Sequence, residues 1–125
     1  MKKLFIAAVF VVLAFISCTT QEKNKPVIME FMSSSCSSCE KFRPVMDEVE
    51  KAYSKKIRII VHDINTPDGA QQGTIYKIKR LPTIIFLDRN GNEYFRSGSN
   101  LTFSMIEAII RTKTKIEPDR KKTKK

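Results

Sequence analysis

Two cysteines, Cys36 and Cys39, are the residues whose type and spacing can do chemistry in this chain. Such a pair can ligate a metal, form a structural disulfide, or exchange disulfides with another molecule. A zinc site needs four ligands, and His62 is the one histidine among 125 residues, so we expect no metal or cofactor. A structural bridge across so short a loop would remove little chain entropy. The redox interpretation is therefore favoured, and a structural disulfide stays as the alternative.

The surrounding pattern predicts that this pair lies where a strand meets a helix. Residues 27–32 form a short apolar run typical of a buried strand, and three serines follow. Apolar residues then recur at spacings of three and four, which predicts a helix: Phe42, Val45, Met46, Val49 and Tyr53. A helix N-terminus stabilises negative charge, so Cys36 should ionise more readily than a free cysteine and act as nucleophile. Cys39, one turn further, is placed to resolve the resulting mixed disulfide.

The remaining elements alternate along the chain. Residues 57–61 resemble a central parallel strand, a poorly defined helix ends near Tyr76 and Ile78, and residues 83–87 form a third strand. Asn90-Gly91 predicts a hairpin leading to a strand at 93–96. A last amphipathic helix follows. The order β-α-β-α-β-β-α predicts an α/β fold with a mixed four-stranded sheet and helices on both faces.

Several motifs in register resemble the thioredoxin family over most of residues 27–110. They are the CxxC pair, Pro44 five residues after Cys39, Glu30 six residues before Cys36, the segment "RLPT" that contains Pro82, and the segment "IIFLDRNGNEYF" as a β-hairpin. The resemblance implies a compact thioredoxin-like domain at residues 27–111 that lacks the family's additional N-terminal strand and helix. It also implies a thiol–disulfide oxidoreductase.

The resemblance assigns roles to further residues. Glu30 would be a buried acid with a raised pKa that takes the proton of Cys39; the alternative is a solvated carboxylate at a strand edge. Pro82 in cis would bring the Leu81 backbone against the disulfide to pair with a substrate peptide; the alternative is an ordinary trans loop. Ser35 stands where the family has a substrate-contacting Trp. The dipeptide Ser37-Ser38 replaces Gly-Pro, which leaves the reduction potential open.

The N-terminal residues predict export. Lys2 and Lys3 precede an apolar run at residues 4–16, so residues 1–17 are expected to be a signal peptide rather than a membrane span or a buried helix. Cys18 follows a small residue, as in the bacterial lipobox, although Phe15 departs from that pattern. Residues 18–26 are thus expected to be a lipid anchor and tether. The alternative is that Cys18 lies within a signal peptide cut elsewhere.

The positive charge of the chain is concentrated at its C-terminus. The formal net charge is +10, of which residues 111–125 supply +6 and residues 18–110 only +2. Residues 112–125 are therefore expected to be a basic, disordered tail. Nucleic acid is disfavoured, because the basic segment contains no aromatic residue.

Together these features predict a monomeric, lipid-anchored protein of the bacterial periplasm or cell envelope. Its expected partners are protein disulfide or dithiol substrates, a membrane thiol electron donor and the membrane itself through Cys18. Reduction is the preferred direction, because Glu30 offers a base for the resolving step. The alternative function is a thioredoxin-fold binding module in which the Cys36–Cys39 disulfide is structural.

Overall fold

The computed structural model describes residues 24–119, so the expected signal peptide and Cys18 lie outside the described residues. Its elements are β1 (Val27–Met32), α1 (Ser37–Tyr53), β2 (Arg58–Asp63), α2 (Pro67–Ile75), β3 (Thr83–Leu87), β4 (Glu93–Ser97) and α3 (Phe103–Thr114). The strands form one sheet in the order β2-β1-β3-β4. β1 runs parallel to β2 and antiparallel to β3, which pairs antiparallel with β4. The predicted α/β fold is confirmed. None of the helices described is long and apolar enough to span a membrane.

β1 and β3 carry the core on both faces of the sheet. Alternate side chains of a strand point to opposite faces, so Ile28, Ile84 and Phe86 pack beneath α1 and α3. Met29, Phe31, Ile85 and Leu87 form a smaller cluster on the other face, with Tyr76, Ile78 and Leu81. The four central residues of β1 are buried, so this strand holds the loop that precedes α1 in a fixed position.

β2 differs from its prediction as a central strand. Within residues 24–119 it lies at the edge of the sheet, spans Arg58–Asp63, and leaves Val61 44 % exposed. A run of β-branched residues is typical of any strand with one well-packed face, so composition did not separate an edge from a centre.

Local caps define where the helices begin. Cys36 is the N-cap residue of α1, and its sulfur accepts a hydrogen bond from the Cys39 amide. Thr66 and Thr102 cap α2 and α3 through their hydroxyls. Gly69 lets α2 pack against the end of β2, because a Cβ there would collide with the Asp63 carbonyl oxygen.

The C-terminal segment corrects the prediction of a disordered tail from residue 112. α3 continues through Thr114, and Ile116 packs against the larger core. The Asp119 amide then donates to the Ala52 carbonyl at 2.7 Å, and its carboxylate lies 3.3 Å from Lys56 Nζ. Ile116 is a single apolar residue after the end of α3 and so belongs to no apolar periodicity. The charged pattern of the segment therefore did not predict that Ile116 contacts the core. Residues 120–125 lie outside the described part.

Candidate active site

A disulfide joins Cys36 and Cys39, whose Cα atoms are 5.2 Å apart. Cys36 is half-buried at the N-terminus of α1, whereas Cys39 lies in the first turn and is only 2 % exposed. The Cys39 amide lies 3.2 Å from Cys36 Sγ and 3.1 Å from the Cys36 carbonyl oxygen. Cys36 is therefore the partly accessible member of the pair, and Cys39 is the buried one.

The loop before β3 lies beside this disulfide. The Leu81–Pro82 bond is cis, as the resemblance implied, and Pro82 is buried. Thr83 Oγ1 donates to the Arg80 carbonyl at 2.7 Å and ties the loop to the start of β3. The Ser38 hydroxyl connects the two parts of the site, since it lies 3.2 Å from Cys36 Sγ and donates to the Leu81 carbonyl oxygen at 3.4 Å. The Leu81 backbone is thus within reach of a peptide bound at Cys36.

A hydrogen-bonded loop of serines holds the start of α1 in place. Ser33 is 4 % exposed, and its hydroxyl lies 3.0 Å from that of the exposed Ser35. The side-chain amide of Asn65 donates to Ser33 at 2.9 Å and to Ser34 at 3.3 Å. Asn65 follows β2, and the carboxyl ends of parallel strands meet at one sheet edge, a signal that could have placed it here from sequence.

Glu30 is a buried acid, so the alternative of a solvated carboxylate is wrong. It is 1 % exposed, and its neighbours across the sheet are Val61 on β2 and Ile84 on β3. Glu30 lies on the same face of the sheet as Ile28, which packs beneath α1. Cys39 lies on the buried side of α1, which faces this side of the sheet. Oε2 makes no hydrogen bond to the residues that the structure describes.

Burial is the main cause of a raised pKa at Glu30. The positive charge of Arg43 opposes the shift, and the negative charge of Asp47 adds to it. Both of these residues lie on α1. A carboxylate with a raised pKa is a stronger base than an exposed carboxylate. It is therefore better suited to accept a proton from a thiol. Its role in that transfer stays a prediction.

Two cavities flank the Leu81–Pro82 bond. One, of about 740 Å³, has apolar walls from Ile64, Ile78 and Leu81. The other, of about 490 Å³, lies against Pro82 and Gly98. Both are also lined by three cations, Lys77, Lys79 and Arg80. An extended peptide beside Leu81 would therefore meet apolar surface and positive charge.

His62 does not join the cysteine pair. Its ring stacks on Phe31 with centroids 4.9 Å apart, and Nδ1 lies 3.7 Å from a carboxylate oxygen of Asp68. Within residues 24–119 no three His, Cys, Asp or Glu side chains gather as a metal site would require.

The mixed sheet, the cysteine pair at a helix start and the cis-proline loop beside it define a thioredoxin-fold protein with a disulfide centre. The family model for thioredoxin matches residues 11–112. The chain belongs to the thioredoxin family.

Individual relatives agree with this assignment. The chain is 37 % identical to the chloroplast M-type thioredoxin of Spinacia oleracea, over 56 % of this chain and 37 % of that protein. It is 30 % identical to thioredoxin 1 of Nostoc sp., over 51 % of this chain and 58 % of that protein. The structure of thioredoxin-2, described as a component of malaria parasite protein secretion machinery, matches with a TM-score of 0.65 at 25 % identity, covering 71 % of this chain and 84 % of that one. The chain thus spans about a third to three fifths of the length of these two curated relatives.

Proposed function

We propose that this chain is a thiol–disulfide oxidoreductase that reduces disulfides of exported proteins at the bacterial cell envelope. One observation carries the proposal: Cys36 is accessible at the N-terminus of α1 beside Leu81, while its disulfide partner Cys39 is buried behind it. A structural disulfide needs no accessible sulfur and no adjacent backbone surface.

The first step begins from the reduced dithiol. The Cys36 thiolate attacks one sulfur of the substrate disulfide, so a bond forms between Cys36 Sγ and that sulfur while the substrate S–S bond breaks. The departing substrate sulfur leaves as a thiolate and takes a proton. The start of α1 favours the attacking anion, because the Cys39 amide and the Ser38 hydroxyl both lie 3.2 Å from Cys36 Sγ.

The second step releases the substrate. Cys39 transfers its proton towards the Glu30 carboxylate, and the new thiolate attacks Cys36 Sγ. The Cys36–Cys39 disulfide forms as the mixed disulfide breaks, and the second substrate sulfur leaves as a thiolate that takes up a proton, which returns Glu30 to its carboxylate form directly or through solvent. Two electrons have then passed from the dithiol to the substrate, and the structure corresponds to this oxidised product.

The reverse exchange with a dithiol donor would restore the reduced form. We assign that role to a membrane thiol protein, and the clients to exported proteins with accessible disulfides. The envelope location rests on the expected signal peptide at residues 1–17 and on Cys18 as the lipidated residue. We propose that Leu81, Pro82 and Ser35 contact the client, and a monomer suffices for this chemistry.

Insulin reduction driven by a small dithiol tests the activity. The full chain should accelerate the reaction, Cys36→Ser should abolish it, and Cys18→Ser should leave it unchanged as the matched control. Cys39→Ser should instead accumulate mixed disulfides that identify clients by mass spectrometry. No turnover, with a reduction potential well below about −300 mV, would instead identify a structural disulfide in a binding module.

A further inference from the structure

The end of the sheet opposite Cys36 presents a surface that is separate from the active site. Cys36 follows the C-terminal end of β1, whereas the opposite end contains the starts of β1 and β2 and the end of β3. Six residues of strand separate the two ends by about 20 Å. That distance is about two and a half times the Debye length at physiological salt, so the two ends present separate electrostatic surfaces.

A cavity of about 530 Å³ lies at this opposite end. Four cations line it, Lys25, Lys56, Arg89 and Lys115, and we call them the basic pole. The nearby carboxylates form ion pairs with some of the cations in this region and not with others. Asp119 pairs with Lys56, and Glu117 is engaged by Arg111. In the part of the chain that the structure describes, neither Arg89 nor Lys115 forms an ion pair.

Both ends of the described chain meet at the basic pole. Asn24 lines the cavity, and Asp119 is held against Lys56 and the Ala52 carbonyl. The six residues that follow Asp119 add five Lys or Arg. At the other end, seven residues separate Cys18 from Pro26, so the two can be at most about 29 Å apart. A membrane attachment at Cys18 would therefore keep the basic pole near the bilayer.

We propose that the basic pole docks on anionic phospholipid headgroups and leaves the Cys36 end facing away from the membrane. Clustered Lys and Arg beside an attachment point are attracted by the surface potential of anionic lipid. A hydrophobic attachment combined with a polybasic patch anchors more stably than either alone. Nucleic acid offers phosphates too, but no aromatic ring for base stacking lines this cavity. The proposal rests on the N-terminal membrane attachment proposed above, and it does not depend on disulfide exchange.

Vesicle partitioning of the full chain tests the proposal. The quantity measured is the headgroup ratio, which is the partition coefficient on vesicles of phosphatidylcholine containing phosphatidylglycerol divided by that on phosphatidylcholine alone. The apolar N-terminal run contributes to both measurements, so the ratio isolates the charge effect. We expect a ratio of about ten or more at physiological salt, and the ratio should fall as further salt is added.

Two matched double variants localise the effect. Arg89→Glu/Lys115→Glu should lower the headgroup ratio about tenfold. Lys77→Glu/Lys79→Glu makes the same change of charge at the cavities beside Leu81 and Pro82, and should leave the ratio within about twofold because of screening. The pairs are also matched in backbone, since Lys77 and Lys115 have φ of 53° and 55°.

Circular dichroism and insulin reduction by the Arg89→Glu/Lys115→Glu variant establish that it is folded and redox-active. A ratio unchanged by that variant, or lowered equally by the control pair, would overturn the proposal. Tighter binding to a short single-stranded oligonucleotide than to the anionic vesicles at equal salt would overturn it as well. If the wild-type chain does not reduce insulin, that result would contradict the proposed oxidoreductase activity. It would not affect the vesicle result.

Discussion

The Ser38 hydroxyl donates a hydrogen bond to the Leu81 carbonyl oxygen, 3.4 Å away, and so links α1 to the loop before β3. The same hydroxyl lies 3.2 Å from Cys36 Sγ. A hydroxyl has one proton, so its two acceptors share it. A substrate peptide that pairs with the Leu81 backbone would compete with the Ser38 hydroxyl for the Leu81 carbonyl oxygen. The Ser38 proton would then be donated to the sulfur of Cys36 alone.

Ser38→Ala should therefore weaken the nucleophile. In the reduced protein we expect alkylation of Cys36 by iodoacetamide at neutral pH to slow about fivefold, as loss of a hydrogen bond worth about 1 kcal/mol predicts. Ser37→Ala is the matched control, because Ser37 is exposed and its side chain has no hydrogen bond to residues 24–119. Equal rates in the two variants would show that the Ser38 hydroxyl does not act on Cys36.

Glu30→Gln should change how stability depends on pH. Burial raises the pKa of Glu30 above 4.5, so between that value and the folded-state pKa the folded protein binds more protons than the unfolded chain. This contribution to stability is fully present below pH 4.5 and is lost as pH rises through the folded-state pKa. The wild type should therefore lose stability relative to Glu30→Gln as pH rises, in urea denaturation. A Glu30→Gln profile parallel to that of the wild type would contradict this linkage.

The same substitution should slow resolution of the mixed disulfide. A positioned general base contributes roughly 10²-fold or more, and Gln cannot accept the Cys39 proton. Stopped-flow reaction with a disulfide peptide should show a normal first step and a mixed disulfide that persists about 10²-fold longer. A mixed disulfide as short-lived as in the wild type would remove Glu30 from the mechanism.

Ile116→Ala should destabilise the domain by about 1–2 kcal/mol, because Ile116 packs partly buried against the larger core. Ile75→Ala makes the same change at a side chain that is 60 % exposed and should stay within about 0.5 kcal/mol of the wild type. Urea denaturation of the full chain measures both. Equal effects would mean that the segment after α3 does not contribute to the fold.

The cations beside Leu81 should favour acidic clients. Disulfide peptides flanked by Asp or Glu should be reduced several-fold faster than neutral ones at low salt, and added salt should remove the preference. Lys79→Glu/Arg80→Glu should reverse the preference. Lys51→Glu/Lys55→Glu, at and beyond the far end of α1, should preserve it. A preference insensitive to salt would point to shape rather than charge.

Short-range features of the fold could be predicted from the sequence because they depend on neighbours along the chain. The three- and four-residue spacing of apolar side chains from Phe42 to Tyr53 placed α1, and the cysteine pair at its start followed. Asn90-Gly91 identified the hairpin, where Gly91 adopts a φ of 82°. The family resemblance extended this to the cis bond before Pro82 and to the burial of Glu30.

The sequence by itself determined the cysteine pair, its place at a helix start and the order of the elements. Only the tertiary structure decided that β2 is an edge strand, that Ile116 and Asp119 dock on the domain, and that Ser38 reaches Leu81 across 43 positions. The physical reason is the range of the interactions. Caps and periodicities act within a few residues, whereas these contacts form between segments that only the folded sheet and helices bring together.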